Sequence, residues 1–287
     1  MTANAAPERE FRLDINGLRA WAVIAVVLYH FGVAGIGGGF AGVDVFFVIS
    51  GYLMCGIVLE GLERGDFSLW RFYLARARRI WPALVVLCAV VLAVGWFFLM
   101  PEEYRRLGKH VRESLTFSSN LRYFDESGYF DVASQEKWLL HTWSLSVEWQ
   151  FYLLLPLLMM AMARWLPGRR RLAWVLGALG VASLGLCLWR TQVDASEAFF
   201  LLQNRAWEML AGALVYLAGR RNWSQGWQRG IELLGFGLIL ATILLFDRHS
   251  VWPGWRAVLP VAGAALVLLA ARRESLWTGT PAVQWLG

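Results

Sequence analysis

The chain has 287 residues, of which 58% are hydrophobic and only 17% charged, with 17 Trp and a mean hydropathy of +0.48. That composition excludes a disordered chain and is too apolar for one soluble core, which leaves the lipid bilayer as the solvent. The net charge of +6 does not point to nucleic acid, because the basic residues fall in short clusters between apolar runs rather than on one face.

A hydrocarbon core about 30 Å thick takes about 20 mostly apolar residues of helix to cross. Windows of that kind lie near 17–34, 41–61, 80–100, 142–164, 172–190, 199–219, 231–246 and 256–271, each bounded by charge, Gly or Pro. The expected fold is all-α, a polytopic transmembrane helical bundle of about eight spans formed as a single domain over 1–287. The polar start MTANAAPEREFRLD has no small-residue cleavage site, so the first apolar run is expected to remain a span.

With the N-terminus in the cytoplasm, the inner face collects Arg9, Arg12, Arg64, Arg71, Arg76, Arg78, Arg79, Arg164, Arg169 to Arg171, Arg220, Arg221, Arg229, Arg272 and Arg273. The positive-inside rule asks for that orientation in the cytoplasmic membrane. Segment 101–140 is the exception, since it places Arg105, Arg106, Lys109, Arg112, Arg122 and Lys137 outside, together with seven acids. Its stretch EEYRRLGKHVRESLTFSSNLRYF is too polar to span and reads as an interfacial or partly re-entrant helix.

In the first span Arg19 and His30 stand eleven residues apart, a rotation that returns to within about 20° at a rise of about 16 Å. One helix face thus carries a cation near its inner end and an imidazole deep or toward the outer half, and ionisable groups inside a bundle are functional candidates. The second span, AGVDVFFVISGYLM, holds Asp44 and Ser50 among aromatics, with Gly42 and Gly51 allowing close approach. Asp44 is placed to orient His30, to pair with an arginine or to cap its helix. In LWRFYLARARRIWPAL, Arg76 and Arg79 have helical i, i+3 spacing just before Pro82 and the third span; such a fork suits phosphate and equally suits positive-inside anchoring.

The run HTWSLSVEWQFYLLLPLL puts His141, Ser144 and Glu148 on one stripe of a span, a combination that binds sugar hydroxyls or does acid–base work. NRAWEMLAG sets Arg205 and Glu208 at i, i+3, where a salt bridge keeps both charges in the membrane at least cost. Outer loops 121–140 and 247–255 offer polar and aromatic groups suited to sugars. Cys55, Cys88 and Cys187 each lie in an apolar run without CxxC spacing, so they are expected to be small core residues, with neither a disulfide framework nor a metal site.

These motifs as a set resemble the acyltransferase-3 family of membrane proteins, which includes O-acetyltransferases of lipopolysaccharide O-antigen and of peptidoglycan. NGLRAWAVIAVVLYH is similar to the family's opening motif, a basic residue and a His after ten others, met here by Arg19 and His30. GVDVFFVISGYL, the Arg76 and Arg79 pair, HTWSLSVEWQFY and RAWEMLAG follow in the family's order. The resemblance implies transfer of an acyl group, usually acetyl, from cytoplasmic acyl-coenzyme A (acetyl-CoA) to a hydroxyl of a cell-envelope polysaccharide or glycolipid beyond the bilayer.

It further implies that His30 is the base or acyl relay, with Glu148 and Asp44 as further catalytic candidates. Arg19, Arg76 and Arg79 would surround the donor's phosphates, while His141, Ser144, Ser50 and Arg205 are expected at the substrate. The chain departs from the family pattern at Asn16, where Asp is usual, and at Trp149, where a second Glu often follows Glu148. It also stops at AVQWLG, where the family continues into another aromatic-rich span, so a C-terminally truncated domain is expected. The competing functional class is a transporter or flippase of a glycan or acylated lipid, with the intramembrane His and Arg serving as proton relay or ligand site.

Overall fold

Each apolar window of the sequence becomes a helix in the computed structural model, which describes residues 11–127, 137–219, 221–272 and 275–287 and shows no strand among them. The order is α1 (Leu13–His30), a 3-10 turn (Gly39–Ala41), α2 (Gly42–Arg64), α3 (Leu69–Phe98), α4 (Pro101–Leu115), α5 (Ser119–Glu126) and α6 (Thr142–Trp165). There follow α7 (Arg169–Val193), α8 (Ala195–Phe200), α9 (Leu202–Ala218), α10 (Gln225–Leu245), a 3-10 turn (Gly254–Ala257), α11 (Val258–Ala270) and α12 (Pro281–Leu286). Among the positions read from the sequence, Arg9, Arg220, Arg273 and residues 128–136 of loop 121–140 lie outside the described residues.

Among the described residues five helices, α2, α3, α6, α7 and α10, are long and apolar enough to cross a membrane. The other three expected spans correspond to α1, α9 and α11, with 18, 17 and 13 helical residues. The first two of these carry charge inside the helix, Arg19 in α1 and the Arg205 and Glu208 pair in α9.

Helix ends shift by a few residues elsewhere, and two differences from the sequence reading are larger. The third span was expected from residue 80, yet α3 starts at Leu69, where the Ser68 side chain accepts from the Arg71 backbone N–H. Arg76 and Arg79 therefore sit within the helix rather than in a loop before it, and Pro82 lies inside it. Apolar surroundings and neighbouring groups let a helix run through proline in this way. The sixth expected span is broken at Leu201 into α8 and α9.

The centre of the bundle is α2, which packs against α1, α6, α9 and α11. Its closest neighbour is α9, and glycine makes that approach possible. A Cβ on Gly51 would collide with the Met209 carbonyl, and one on Gly212 with the Val48 carbonyl, so the two helices meet backbone to backbone. The α10 and α11 pair is built the same way on Gly235 and Gly263, each facing the other's carbonyl.

By contrast α3 packs mainly on α4, and its apolar window is only 17% buried, as expected of a helix facing lipid. Its far end exposes Trp96, Phe97 and Phe98, residues suited to a membrane interface. Segment 101–127 holds no helix long and apolar enough to cross a membrane. It forms α4, opened by Pro101 with the Met100 N–H donating to Glu103 Oε2 at 2.9 Å, and α5. Their buried hydroxyls dock on α6: Ser114 meets Thr142 at 2.8 Å and Ser119 meets Ser146 at 2.8 Å. Cys55, Cys88 and Cys187 are buried and unpaired, as their apolar settings imply.

Candidate functional site

The site is built between α1 and α6, antiparallel helices that face each other at two levels. Although α1 packs on α2, α11 and α12, its Arg19 and His30 both look toward α6. Arg19 lies within electrostatic reach of Glu148 and Tyr152 on α6 and of Arg79 on α3. At the other end of α1 the His30 ring meets His141, which immediately precedes α6, edge to face with centroids 4.4 Å apart. Eleven residues of α1 therefore join the two levels, about 16 Å apart along the axis.

The first level gathers Arg19, Arg76, Arg79, Ser50, Glu148 and Tyr152. Ser50 on α2 donates to Glu148 Oε1 at 2.6 Å, and the Tyr152 hydroxyl lies 3.1 Å from Ser50 Oγ and 3.3 Å from Glu148 Oε2. Arg76 is within electrostatic reach of both Arg79 and Tyr152, and its Nε is buried with no hydrogen-bond partner. Among the described residues no carboxylate forms an ion pair with Arg19, Arg76 or Arg79. Three guanidinium groups around one half-buried glutamate leave a positive surplus, which suits a ligand that brings several negative oxygens.

The second level opens into a cavity of about 400 Å³. Its walls are mostly aromatic, with Tyr29, Phe40, Phe46, Trp143, Phe199 and Trp252, and its polar groups are His30, His141, Ser144, Asp247, Arg248 and Ser250. His30 Nδ1 lies 2.7 Å from the Val26 carbonyl oxygen. A carbonyl only accepts, so Nδ1 carries a proton, and in the neutral ring Nε2 keeps its lone pair. The His30 ring is thus oriented by a main-chain carbonyl and not by a carboxylate.

Asp44 and Arg205 reach the same cavity from its floor. Asp44 does not bond to His30. It takes the second of the roles open to it and pairs with Arg205, Oδ1 to Nη2 at 3.0 Å. Arg205 Nη1 lies 2.9 Å from Glu208, so the i, i+3 pair on α9 becomes a triad whose members are all at most 1% exposed. The rings of Phe47, Trp143 and Phe199 stand within 6 Å of the guanidinium carbon and hold it by cation–π attraction.

The structure divides the His141, Ser144 and Glu148 stripe between the levels: His141 and Ser144 line the cavity, while Glu148 faces Ser50, Tyr152 and Arg19. Glu148 therefore sits at the level of Arg19 and not in the cavity with His141. Tyr152 was missed by sequence reasoning, although it follows Glu148 by one helical turn in EWQFY. Of the two loops offered for sugar contact, 247–255 lines the cavity through Asp247, Arg248, Ser250 and Trp252. Among the described residues no group of three or more His, Cys, Asp or Glu gathers to hold a metal ion.

A family profile described as an acyltransferase domain matches residues 12–287, almost the whole chain and every residue of the two levels described above. The chain is 31% identical over 258 residues to a putative membrane-bound transacylase of Komagataeibacter xylinus, covering 90% of this chain and 64% of that protein. It is 35% identical over 211 residues to the peptidoglycan O-acetyltransferase of Listeria monocytogenes, covering 71% of this chain and 33% of that one. A putative O-acetyltransferase of Staphylococcus aureus is 31% identical over 205 residues, 70% of this chain and 34% of the relative. The chain therefore spans from about a third to just under two thirds of these relatives' length. No solved structure matches it.

Proposed function

The chain belongs to the membrane acyltransferase family whose profile covers it, and from that premise we propose that it moves an acyl group, acetyl by preference, from acyl-coenzyme A to a hydroxyl of a cell-envelope glycan or glycolipid. The observation that carries this reading is the pairing of two unlike sites on one face of α1. At one level three arginines have no carboxylate ion-pair partner among the described residues, which fits the phosphates of a coenzyme A donor; at the other two imidazoles open into an aromatic-walled cavity of sugar-binding size.

In this reading the donor enters from the cytoplasm, with Arg19, Arg76 and Arg79 on its phosphates. Its pantetheine arm spans the roughly 16 Å to His30, passing Ser50, Glu148 and Tyr152, whose hydroxyls and carboxylate suit its amide groups. The acceptor hydroxyl enters the cavity from the outer side, stacked on Trp143 or Trp252 and touched by Ser144 and the 247–250 loop. His30 Nε2 meets the thioester carbon, and coenzyme A leaves as the thiolate. The N-terminus then lies inside, and α1, α9 and α11 complete eight crossings by packing around α2, which shields their charged groups from lipid.

Membranes holding the protein, labelled acetyl-coenzyme A and envelope glycan test the reading. Label is expected to reach the glycan, and His30→Ala at equal expression is expected to lower the rate by about 10²–10⁴. Labelling that survives His30→Ala overturns the role of His30. No protein-dependent labelling of any glycan overturns the transferase reading and favours a transporter.

A further inference from the structure

His30 does not stand alone in the cavity. The His141 ring packs edge to face against it at 4.4 Å between centroids and an interplanar angle of 86°, and both line the same space. The two rings are not equivalent. His30 is tied through Nδ1 to the Val26 carbonyl, whereas no hydrogen bond is found for the His141 ring among the described residues. One imidazole is therefore fixed in orientation and tautomer, and the other is free to gain and lose a proton within reach of the first.

We propose that the two histidines divide the transfer between them: His30 carries the acyl group covalently, and His141 takes the proton of the acceptor hydroxyl. The division rests on the acyltransferase reading above. In the first half, His30 Nε2 attacks the thioester carbon, the C–S bond breaks, and its electron pair leaves on the sulfur as thiolate. The product is an Nε2-acyl imidazolium that keeps its Nδ1 proton, and the Val26 carbonyl stabilises that proton's charge. In the second half the acceptor oxygen attacks the acyl carbon while its proton passes to His141. The C–N bond breaks and its electrons return to Nε2, which restores neutral His30. His141 then gives the proton to the thiolate, so thioester and alcohol have become ester and thiol.

A single histidine does not fill both roles, because once Nε2 is acylated and Nδ1 protonated the ring has no lone pair left to accept the hydroxyl proton. Among the described residues lining the cavity, Asp44 is engaged with Arg205 and Asp247 with the backbone N–H groups of His249 and Ser250. His141 is the base that packs directly against the His30 ring.

Exchange of labelled coenzyme A into acetyl-coenzyme A without acceptor isolates the first half, and acetyl transfer to a panel of peptidoglycan fragments and hexose oligosaccharides reads both halves. The wild-type protein is expected to catalyse both. His141→Gln is expected to keep exchange while transfer falls about a hundredfold or more, and His30→Ala to lose both. Added imidazole is expected to restore transfer to His141→Ala, a rescue that a packing role would not show. Loss of exchange in a monodisperse His141→Gln protein, or undiminished transfer in it, overturns the division. Transfer without exchange in the wild type overturns the covalent relay alone, whereas absence of both in the wild type overturns the acyltransferase reading on which the division rests.

Discussion

Arg205 is almost wholly enclosed and yet faces two carboxylates, Asp44 at 3.0 Å and Glu208 at 2.9 Å. Removing the guanidinium leaves both acids buried without their counter-charge, a loss of about 3–5 kcal/mol. Arg205→Leu is therefore expected to lower the melting temperature sharply or to prevent isolation of the folded protein, and unchanged melting would contradict the triad. Arg76 and Arg79 face the opposite test. With no ion pair to break, Arg76→Gln and Arg79→Gln are expected to leave melting nearly unchanged and to raise the KM for acetyl-coenzyme A, each by about tenfold or more through a lost charge-assisted hydrogen bond. A fall in kcat at unchanged KM would place them elsewhere in the reaction. Contacts of this kind were legible in the sequence only within a single helix, over about one to three turns. The Arg205 and Glu208 pair and the shared face of Arg19 and His30 follow from 3.6-residue periodicity, whereas the arrival of Asp44 at Arg205, 161 positions away, depends on packing that periodicity does not encode.

Between elements, the seam of α2 and α9 has no room for side chains where Gly51 and Gly212 lie. Gly51→Leu or Gly212→Leu must push backbone against backbone and is expected to cost at least about 1–3 kcal/mol, read as loss of a monodisperse, thermally stable protein. Substitution at Gly237, whose Cβ would meet nothing within 4 Å, is the matching control. Outside the spans, α4 and α5 carry a pH dependence. Burial pushes the His110 imidazole below its usual value and outweighs the pull of Glu126 at 2.9 Å. A histidine whose folded value is lowered contributes full stability above its unfolded value, about 6.5, and loses it as pH falls below that.

Burial works to raise Glu126, but His110, Arg122 and Lys137 together hold it below its ordinary value, so its own loss comes at still lower pH. Backbone amides of α4 and α5 are thus expected to exchange faster at pH 5 than at pH 7, and less so in His110→Gln; equal pH dependence in the two proteins would contradict this. Windows of apolar sequence located the helices well because burial in lipid makes hydropathy decisive. Their ends were less legible: the Ser68 cap starts α3 eleven residues early, and the break at Leu201 has no Gly or Pro to mark it.

At the scale of the molecule, the groups assigned to the donor gather toward the N-terminal end of α1 and those assigned to the acceptor toward its His30 end. Arg105, Arg106, Lys109 and Arg112, which the positive-inside rule fitted poorly, lie on α4 at the His30 end with Glu102 paired to Arg105 and Glu113 to Arg112, which offsets part of their charge. The measurement that bears most directly on the two-sided site uses proteoliposomes in which the protein is inserted in one known direction, with labelled acetyl-coenzyme A on one side and a peptidoglycan fragment on the other. Two separate sites joined through the bundle are expected to give acetylated fragment only when the donor is on the Arg76 and Arg79 side and the fragment on the His30 side. Equal product with donor and fragment together on the His30 side would contradict that arrangement.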